Sequence, residues 1–248
     1  MNLEKILCVR PSKTIYIDGD KVIKVFNNNY SKSDVLNEAL NLARVEETGL
    51  NVPKLDEVTK IDGKWAISYD YIKGKSLAQL IKENPEQTNH YLDIFTDVQL
   101  QMHSKQNPLL HKVKDKYRRL INDSDAIATV RYSLYSSLDA LPKHVKLLHC
   151  NYIPENVIVN TQGVPYIIDW AHATQGDSST DIAESYIALI LANNVQFAED
   201  YLELMCQKSN VTKDSVMAWL PIICTIYMSK CDATKKDILL KYLNIFNK

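Results

Sequence analysis

Alternating apolar and polar positions near the start of the chain predict a β-hairpin followed by a helix. Residues 14–17 and 21–26 form two alternating runs, and the Asp18-Gly19-Asp20 between them is typical of a turn. The stretch 34–43 then predicts a helix, with Ser33 or Asp34 as its N-terminal cap. The N-terminal part of the chain is therefore predicted to contain an antiparallel sheet and one helix.

Lys24 lies between two large apolar residues, Val22 and Phe26, on one face of the predicted second strand. A lysine in such a position either lies at an edge or is paired with an acid. Glu38 on the following helix is the candidate partner. The alternative is a solvated lysine and an ordinary helix glutamate.

Further along, a second strand pair is predicted around Asp62-Gly63, and Ser76 is expected to cap a helix that begins at Leu77. The chain after Asp181 has the spacing of helices and is expected to end in a docked helix over residues 238–246.

A second hairpin is predicted in the middle of the chain, where the apolar runs 156–160 and 164–168 flank a turn containing Gly163. If Asn160 faces Pro165, which leaves a connection of four residues, the pairing continues until Asn156 lies opposite Asp169 at the open end. An amide oxygen and a carboxylate side by side suit Mg²⁺, which prefers oxygen ligands. The alternative is that both residues only end strands.

Composition narrows the class of protein. The 248 residues include 46% hydrophobic and 24% charged residues, typical of a globular protein of one domain or two lobes. The net charge of −1 gives no basic surface for nucleic acid. The apolar stretch 216–228 is too short for a membrane span, and residues 1–5 lack a signal-peptide pattern.

The cysteines and glycines exclude several classes of site. The five cysteines are scattered without a C-x-x-C, which favours a reduced, cytoplasmic setting. The six glycines form neither G-x-G-x-x-G nor G-x-x-x-x-G-K-[ST], which argues against a dinucleotide-binding fold and a P-loop enzyme.

Four motifs follow one another in the second half of the chain. They are His149-Cys150-Asn151, then Asn156, then Ile168-Asp169-Trp170, and finally the G-D-x-x-x-D-I-A of residues 176–183. In order and spacing they resemble the signature of the aminoglycoside phosphotransferase and choline kinase family, relatives of the protein kinases. That signature is H-G-D, four residues, N, a hairpin, I-D-[WF], and later G-D-x-x-x-D-[LI]-A.

The resemblance implies an α+β protein with a two-lobed protein-kinase-like fold, a small antiparallel-sheet N-lobe and a larger, mainly helical C-lobe. The expected boundaries are 1–69 for the nucleotide-binding lobe, 70–75 for the hinge and 76–248 for the catalytic and substrate lobe. It also implies ATP- and Mg²⁺-dependent phosphorylation of a hydroxyl on a small molecule, with the nucleotide between the lobes. The oligomeric state stays open.

The resemblance also assigns roles to single residues. It implies that the adenine of ATP contacts the backbone of Asp70, Tyr71 and Ile72. The phosphates would contact Lys24, which Glu38 positions. Mg²⁺ would be held by Asn156 and Asp169. The hydroxyls and backbone amides of residues 11–14 stand in the place of a glycine-rich phosphate loop. His103 is interpreted as a packing residue, and His149 and Asp181 as groups that brace the catalytic loop. Cys150 is interpreted as filling space rather than as a reactive thiol.

Asn151 departs from the family, which has an aspartate there to accept or orient the proton of the acceptor hydroxyl. An amide can hydrogen-bond that hydroxyl but cannot take its proton. Three explanations are open. Asn151 is an introduced change, or the protein is a non-catalytic nucleotide-binding pseudokinase, or Glu155 serves as the base instead. A scaffold without nucleotide binding is a further, weaker alternative.

The acceptor stays open among small hydroxyl compounds. Residues 213–248 hold only three acids against six lysines, which disfavours a polycationic aminoglycoside. A choline-type site would use an aromatic cage, for which Trp170, Trp219 and Tyr227 are candidates. A sugar, amino alcohol or nucleoside is equally compatible with the sequence.

Overall fold

The computed structural model describes Leu3 and residues 5–244. Its strands are Lys5–Arg10 (β1), Lys13–Asp18 (β2), Lys21–Phe26 (β3), Leu55–Ile61 (β4), Lys64–Asp70 (β5), Gly74–Ser76 (β6), Lys146–Leu148 (β7), Val157–Asn160 (β8), Pro165–Ile167 (β9) and Thr174–Gly176 (β10). Its helices are Lys32–Glu46 (α1), Leu77–Glu83 (α2), Thr88–His103 (α3), Val113–Asn122 (α4), Ala128–Ala140 (α5), Ser178–Leu191 (α6), Val195–Lys208 (α7), Lys213–Met217 (α8), Leu220–Met228 (α9) and Ala233–Asn244 (α10). The expected α+β class, with a sheet first and helices after, is confirmed.

The described residues fall into two compact units. The first comprises the described residues up to Pro85 together with Pro154–His172, and the second comprises Glu86–Ile153 together with the described residues from Ala173 onward. The segment 154–172 belongs to the first unit because its strand β8 is hydrogen-bonded to β6. The functional boundaries after residues 69 and 75 stay a prediction.

A five-stranded antiparallel sheet in the order β1-β2-β3-β5-β4 forms the body of the first unit. The predicted hairpin over residues 14–26 is its β2–β3 pair. The turn from β4 to β5 contains Asp62 and Gly63, whose φ angles of 49° and 79° are both positive. Two positive φ angles are the mark of the tight hairpin turn that matches strand twist.

Helix α1 packs on one face of this sheet. Its cap is Ser31 rather than the expected Ser33 or Asp34. The Ser31 side chain accepts a hydrogen bond from the Asp34 N–H at 3.1 Å. The buried cluster beneath the helix contains Phe26, Val35, Ala39 and Ile67. Since side chains alternate along a strand, Lys24 lies on the same sheet face as Phe26, the face that α1 covers.

A three-stranded sheet, β6-β8-β9, completes the first unit. Gly74 begins β6 so close to β8 that a Cβ there would lie 2.1 Å from the Val159 carbonyl oxygen, so only glycine fits. The expected cap of α2 is confirmed, because Ser76 and Gln79 form a reciprocal capping box.

The second unit is mainly helical and contains the antiparallel pair β7–β10. Phe95 stacks on Tyr152 with ring centroids 4.5 Å apart and contacts Tyr201 at 5.4 Å. The last helix packs on α9 and buries Leu239, as expected of a docked helix. The predicted end of that helix, Ile245 and Phe246, lies outside the described residues.

Within the part of the chain that the structure describes, every helix is too short or too polar to cross a bilayer.

Candidate functional site

Lys24 and Glu38 form a buried ion pair in the first unit. Lys24 is 2% exposed on β3, Glu38 is 6% exposed on α1, and the ammonium donates to the Glu38 carboxylate. Burial works against the charged ammonium, but its neighbours, Tyr69 first and then two carboxylates, outweigh this and hold the pKa of Lys24 well above its usual range. The expected contact is therefore present, and its role in nucleotide binding stays a prediction.

Asp169 is the second carboxylate on this lysine. Its Oδ1 accepts hydrogen bonds from Lys24 Nζ at 2.8 Å and from Lys13 Nζ at 3.4 Å. The backbone φ of Asp169 is +65°, a region that non-glycine residues seldom adopt and that often marks functional sites. Two lysines from adjacent strands thus meet one carboxylate oxygen.

The sequence analysis missed the Lys13 side chain. The signal was present in strand alternation, since Lys13 pairs with Phe26 across β2 and β3 and so shares the face of Lys24. Burial, and then the charge of Lys24, lower the pKa of Lys13. The partner carboxylate lies 156 positions further along the chain, which is why strand alternation alone did not reveal the contact.

The predicted pairing of Asn156 with Asp169 is wrong by one residue. Val157 lies opposite Ile167, so Asn156 comes opposite Ile168, whose N–H donates to the Asn156 carbonyl at 2.9 Å. The reason is a shorter connection: Gly163, with φ of 79°, closes a three-residue loop.

Despite this shift, the two expected metal ligands stay close along the hairpin. Asn156 ends a single 3-10 turn, Pro154–Asn156, and its side chain is buried, while the Asp169 side chain is 29% exposed. One carboxylate and one amide oxygen form a hard-oxygen donor set, and Mg²⁺ in kinases is held by one or two such groups together with substrate phosphates. The residues present therefore fit Mg²⁺.

Two of the three expected adenine-binding residues use their N–H groups within the protein. The Asp70 N–H donates to the Lys54 carbonyl at 3.0 Å, and the Tyr71 N–H donates to the Asp20 carbonyl at 2.8 Å. No partner for the Ile72 N–H is found among the described residues. Of the three backbone donors, Ile72 is the one left for a ligand.

In the second unit, Asp181 anchors the loop that carries Asn151. Asp181 Oδ1 accepts the Cys150 N–H at 2.6 Å, and its Oδ2 lies 3.0 Å from His103 Nε2 and 3.3 Å from Gln99 Nε2. The expected bracing contact of Asp181 is thus present. His103, interpreted as packing, also holds this carboxylate, and Gln99 was not singled out at all.

The groups that surround Asp181 also shift the pKa of its carboxyl group. Burial alone would raise the pKa of Asp181, but the hydrogen bond and charge of His103 outweigh it and hold the pKa below its usual value. The loop is therefore anchored by an ionised carboxylate at neutral pH.

Cys150 sits in a strained position of this loop. Its φ is +56°, a conformation that favours glycine, and its Sγ lies 3.0 Å from Thr174 Oγ1 in a buried site. Burial raises the pKa of its thiol to about 12. A thiol that stays protonated is a poor nucleophile, which agrees with the space-filling interpretation.

The tryptophans expected for an aromatic cage are both buried. Trp170 is 2% exposed in the first unit, and its indole N–H donates to the Ile167 carbonyl. Trp219 is completely buried in the second unit against Tyr117. Neither ring face is presented to a ligand, so the structure offers no support for a cage built on them.

Comparison with known proteins shows which family the sequence matches. The model of the Phosphotransferase enzyme family, APH, matches residues 13–215. No curated protein sequence matches the chain.

Several solved structures are similar over nearly the whole chain. A thermostable mutant of aminoglycoside phosphotransferase APH(4)-Ia, in a ternary complex with ADP and hygromycin B, is 11% identical with a TM-score of 0.67, covering 96% of this chain and 90% of that one. Choline kinase LicA from Streptococcus pneumoniae is 17% identical with a TM-score of 0.62, covering 98% and 94%. A choline/ethanolamine kinase family protein from Mesorhizobium loti is 15% identical with a TM-score of 0.57, covering 99% and 79%.

At these identities the likeness concerns the fold, and it confirms the protein-kinase-like fold expected from the motifs. The family model begins at Lys13, on the strand beside Lys24, and ends at Ser215. Because it spans well over half of the chain, the protein belongs to the Phosphotransferase enzyme family.

Proposed function

We propose that this protein is an ATP- and Mg²⁺-dependent phosphotransferase for a hydroxyl of a small molecule, with Asn151 in the place of the catalytic base. The observation that carries the proposal is the buried cluster in which Lys24 contacts both Glu38 and Asp169. Family membership supports the reaction class. The similar aminoglycoside phosphotransferase structures with ADP or AMP-PNP bound support the nucleotide.

Lys24 is the group that binds the nucleotide phosphates. Its raised pKa keeps the ammonium charged at neutral pH, and Glu38 fixes its position from α1. Phosphoryl transfer needs little covalent chemistry from the protein and depends mainly on positioning and on neutralising the phosphate charge. A fixed, charged lysine meets both needs.

Asp169 and Asn156 are the residues that hold Mg²⁺. When bound, the metal neutralises charge on the phosphates that are being separated. Asp169 has a positive φ, and its carboxylate contacts Lys24 and Lys13. The same carboxylate thus belongs both to the lysine cluster and to the metal-binding pair.

The segment from Asp70 to Ile72 binds adenine. Adenine presents an amino donor beside a ring-nitrogen acceptor. The Asp70 carbonyl can accept a hydrogen bond from the amino group, and the Ile72 N–H can donate one to the ring nitrogen. The N–H groups of Asp70 and Tyr71 hold the segment in place instead.

Asn151 limits the rate without removing the site. Its amide can accept a hydrogen bond from the acceptor hydroxyl and orient it, but cannot remove its proton at neutral pH. A positioned base contributes about 10²–10⁴-fold to rate. The alternative function, favoured by this residue, is nucleotide binding without turnover.

The test is the thermal unfolding midpoint with and without ATP, each in Mg²⁺ and in EDTA. ATP at ~100 times its dissociation constant stabilises the folded state by about 2.7 kcal/mol. We expect a shift with ATP and Mg²⁺ in the natural protein and in the control Lys64→Met, which replaces an exposed lysine of the same sheet, but not in Lys24→Met. Absence of any shift at millimolar ATP in the natural protein would overturn the nucleotide-binding proposal.

A further inference from the structure

The β1–β2 turn lacks the backbone donors that usually surround nucleotide phosphates. It consists of Pro11 and Ser12, and Pro11 has no N–H to donate. Phosphate-binding loops elsewhere present several successive backbone N–H groups. This turn leaves too few N–H groups for such a cradle.

The same turn is also tied in place. Asn27 donates its backbone N–H to the Ser12 carbonyl at 2.9 Å and its side-chain amide to the Pro11 carbonyl at 2.7 Å. Both carbonyls are therefore fixed to the end of β3. A turn held in this way has little freedom to wrap around a ligand, so phosphate recognition requires a side chain.

Lys13 is the side chain placed to do this. It starts β2 directly after the turn, on the sheet face of Lys24, and the two ammonium groups share Asp169 Oδ1 at 3.4 and 2.8 Å. Its side chain is only 16% exposed. Two cations that meet at one carboxylate oxygen both lie within reach of any phosphate held beside that carboxylate.

The balance of charge around Lys13 favours an anionic ligand. Lys24 is bonded to two carboxylates, Glu38 and Asp169, whereas the one ion pair found for Lys13 among the described residues is the longer, shared contact with Asp169. A mostly buried ammonium is stabilised by close anionic partners. Phosphate oxygens are the partners that the proposed nucleotide supplies.

We propose that Lys13 is a second phosphate-binding lysine, which takes the role of the missing backbone cradle and competes with Mg²⁺ for Asp169. This inference rests on the proposed nucleotide site. In this arrangement Lys24 stays fixed by Glu38, while Lys13 moves between the Asp169 carboxylate and the phosphates. Nucleotide binding would then release Asp169 for the metal.

The test compares adenosine, ADP and ATP binding to the natural protein, Lys13→Met and Lys13→Arg by calorimetry, in EDTA and in Mg²⁺. Removing a charge-assisted hydrogen bond weakens binding by about ten- to a hundredfold. We expect that loss for ATP and ADP in Lys13→Met in EDTA, no change for adenosine, and partial rescue in Lys13→Arg. In Mg²⁺ the loss should be smaller, because the variant no longer competes with the metal.

The outcomes separate the two proposals. If the natural protein binds none of the three ligands, the nucleotide site itself fails. If it binds ATP and Lys13→Met binds ATP equally well, the role of Lys13 is overturned while the site stands. Equal weakening of adenosine and ATP would also overturn it, since it would mean that Lys13 only supports the fold. Lys64→Met serves again as the control for loss of a lysine from the sheet.

Discussion

The cluster around Lys24 and the loop around Asn151 differ in how far they follow the kinase pattern. In the first unit, Lys24, Glu38 and Asp169 are all present and in contact. In the second, Cys150 and Asn151 stand where the family signature has glycine and aspartate, although Asp181 still anchors the loop. The groups proposed to bind nucleotide and metal are thus present, while the position proposed for the base carries an amide.

On the proposed function, nucleotide binding belongs to the first unit and proton removal to the second. Changes to one part should therefore leave the other intact.

The largest expected effect is that of Asn151→Asp on turnover. Restoring a carboxylate should raise the rate of phosphate transfer to hydroxyl acceptors by about 10²–10⁴-fold, or roughly 3–5 kcal/mol of barrier. The measurement is ADP release with a panel of sugars, amino alcohols and nucleosides. ATP affinity should stay the same, because the groups proposed to bind the nucleotide lie in the first unit.

Asn151→Ala is the matched control, which removes the amide without supplying a base. If Asn151→Asp shows no turnover with any acceptor while binding ATP normally, the protein is a non-catalytic nucleotide-binding module. If the protein with Asn151 already turns over as fast as the aspartate variant, the assignment of the base position is wrong.

The next effect is that of Asp181→Ala on stability. Asp181 is completely buried and bonded to His103, Gln99 and the Cys150 N–H, and breaking such a buried network costs about 3–5 kcal/mol. The free energy of unfolding is measured by denaturant titration. Asp125→Ala, the loss of an exposed acid in the same unit, is the control and should change stability by less than about 0.5 kcal/mol.

The contribution of Asp181 also has a defined pH dependence. Its pKa is lower in the folded than in the unfolded chain, where an aspartate titrates near ~3.9. The contribution is therefore fully present above about pH 4 and is lost as the pH falls through the lower folded pKa. Below about pH 4, the natural protein and Asp181→Ala should converge in stability, and parallel curves would contradict this assignment.

Local patterns predicted the elements well because they depend on neighbouring residues. Alternation was sufficient for the β2–β3 hairpin, and Ser76 caps its helix as expected. The register of the second hairpin was not predictable in the same way. The Asn160 side chain accepts the N–H groups of Gln162 and Val164 at 2.9 and 2.8 Å and closes a loop one residue shorter than expected.

Side-chain partners far apart in sequence were predicted only where a motif connected them. Lys24 and Glu38 are 14 positions apart and were paired from the kinase pattern. Lys13 and Gln99 reach Asp169 and Asp181 across 156 and 82 positions. No motif covers those pairs, and local periodicity contains no information about which distant strand or helix a face will meet.

The smallest expected effect concerns the backbone at Cys150. Its φ of +56° costs a non-glycine residue about 1–2 kcal/mol. Cys224 is an equally buried cysteine inside α9, and there alanine should be favoured over glycine by about 1 kcal/mol. At Cys150 the relief of strain should offset that preference, so that Cys150→Gly is at least as stable as Cys150→Ala. Denaturant midpoints of the four variants measure both differences. If alanine is favoured by the same margin at both positions, the positive φ of Cys150 adds no strain to the loop beside Asn151.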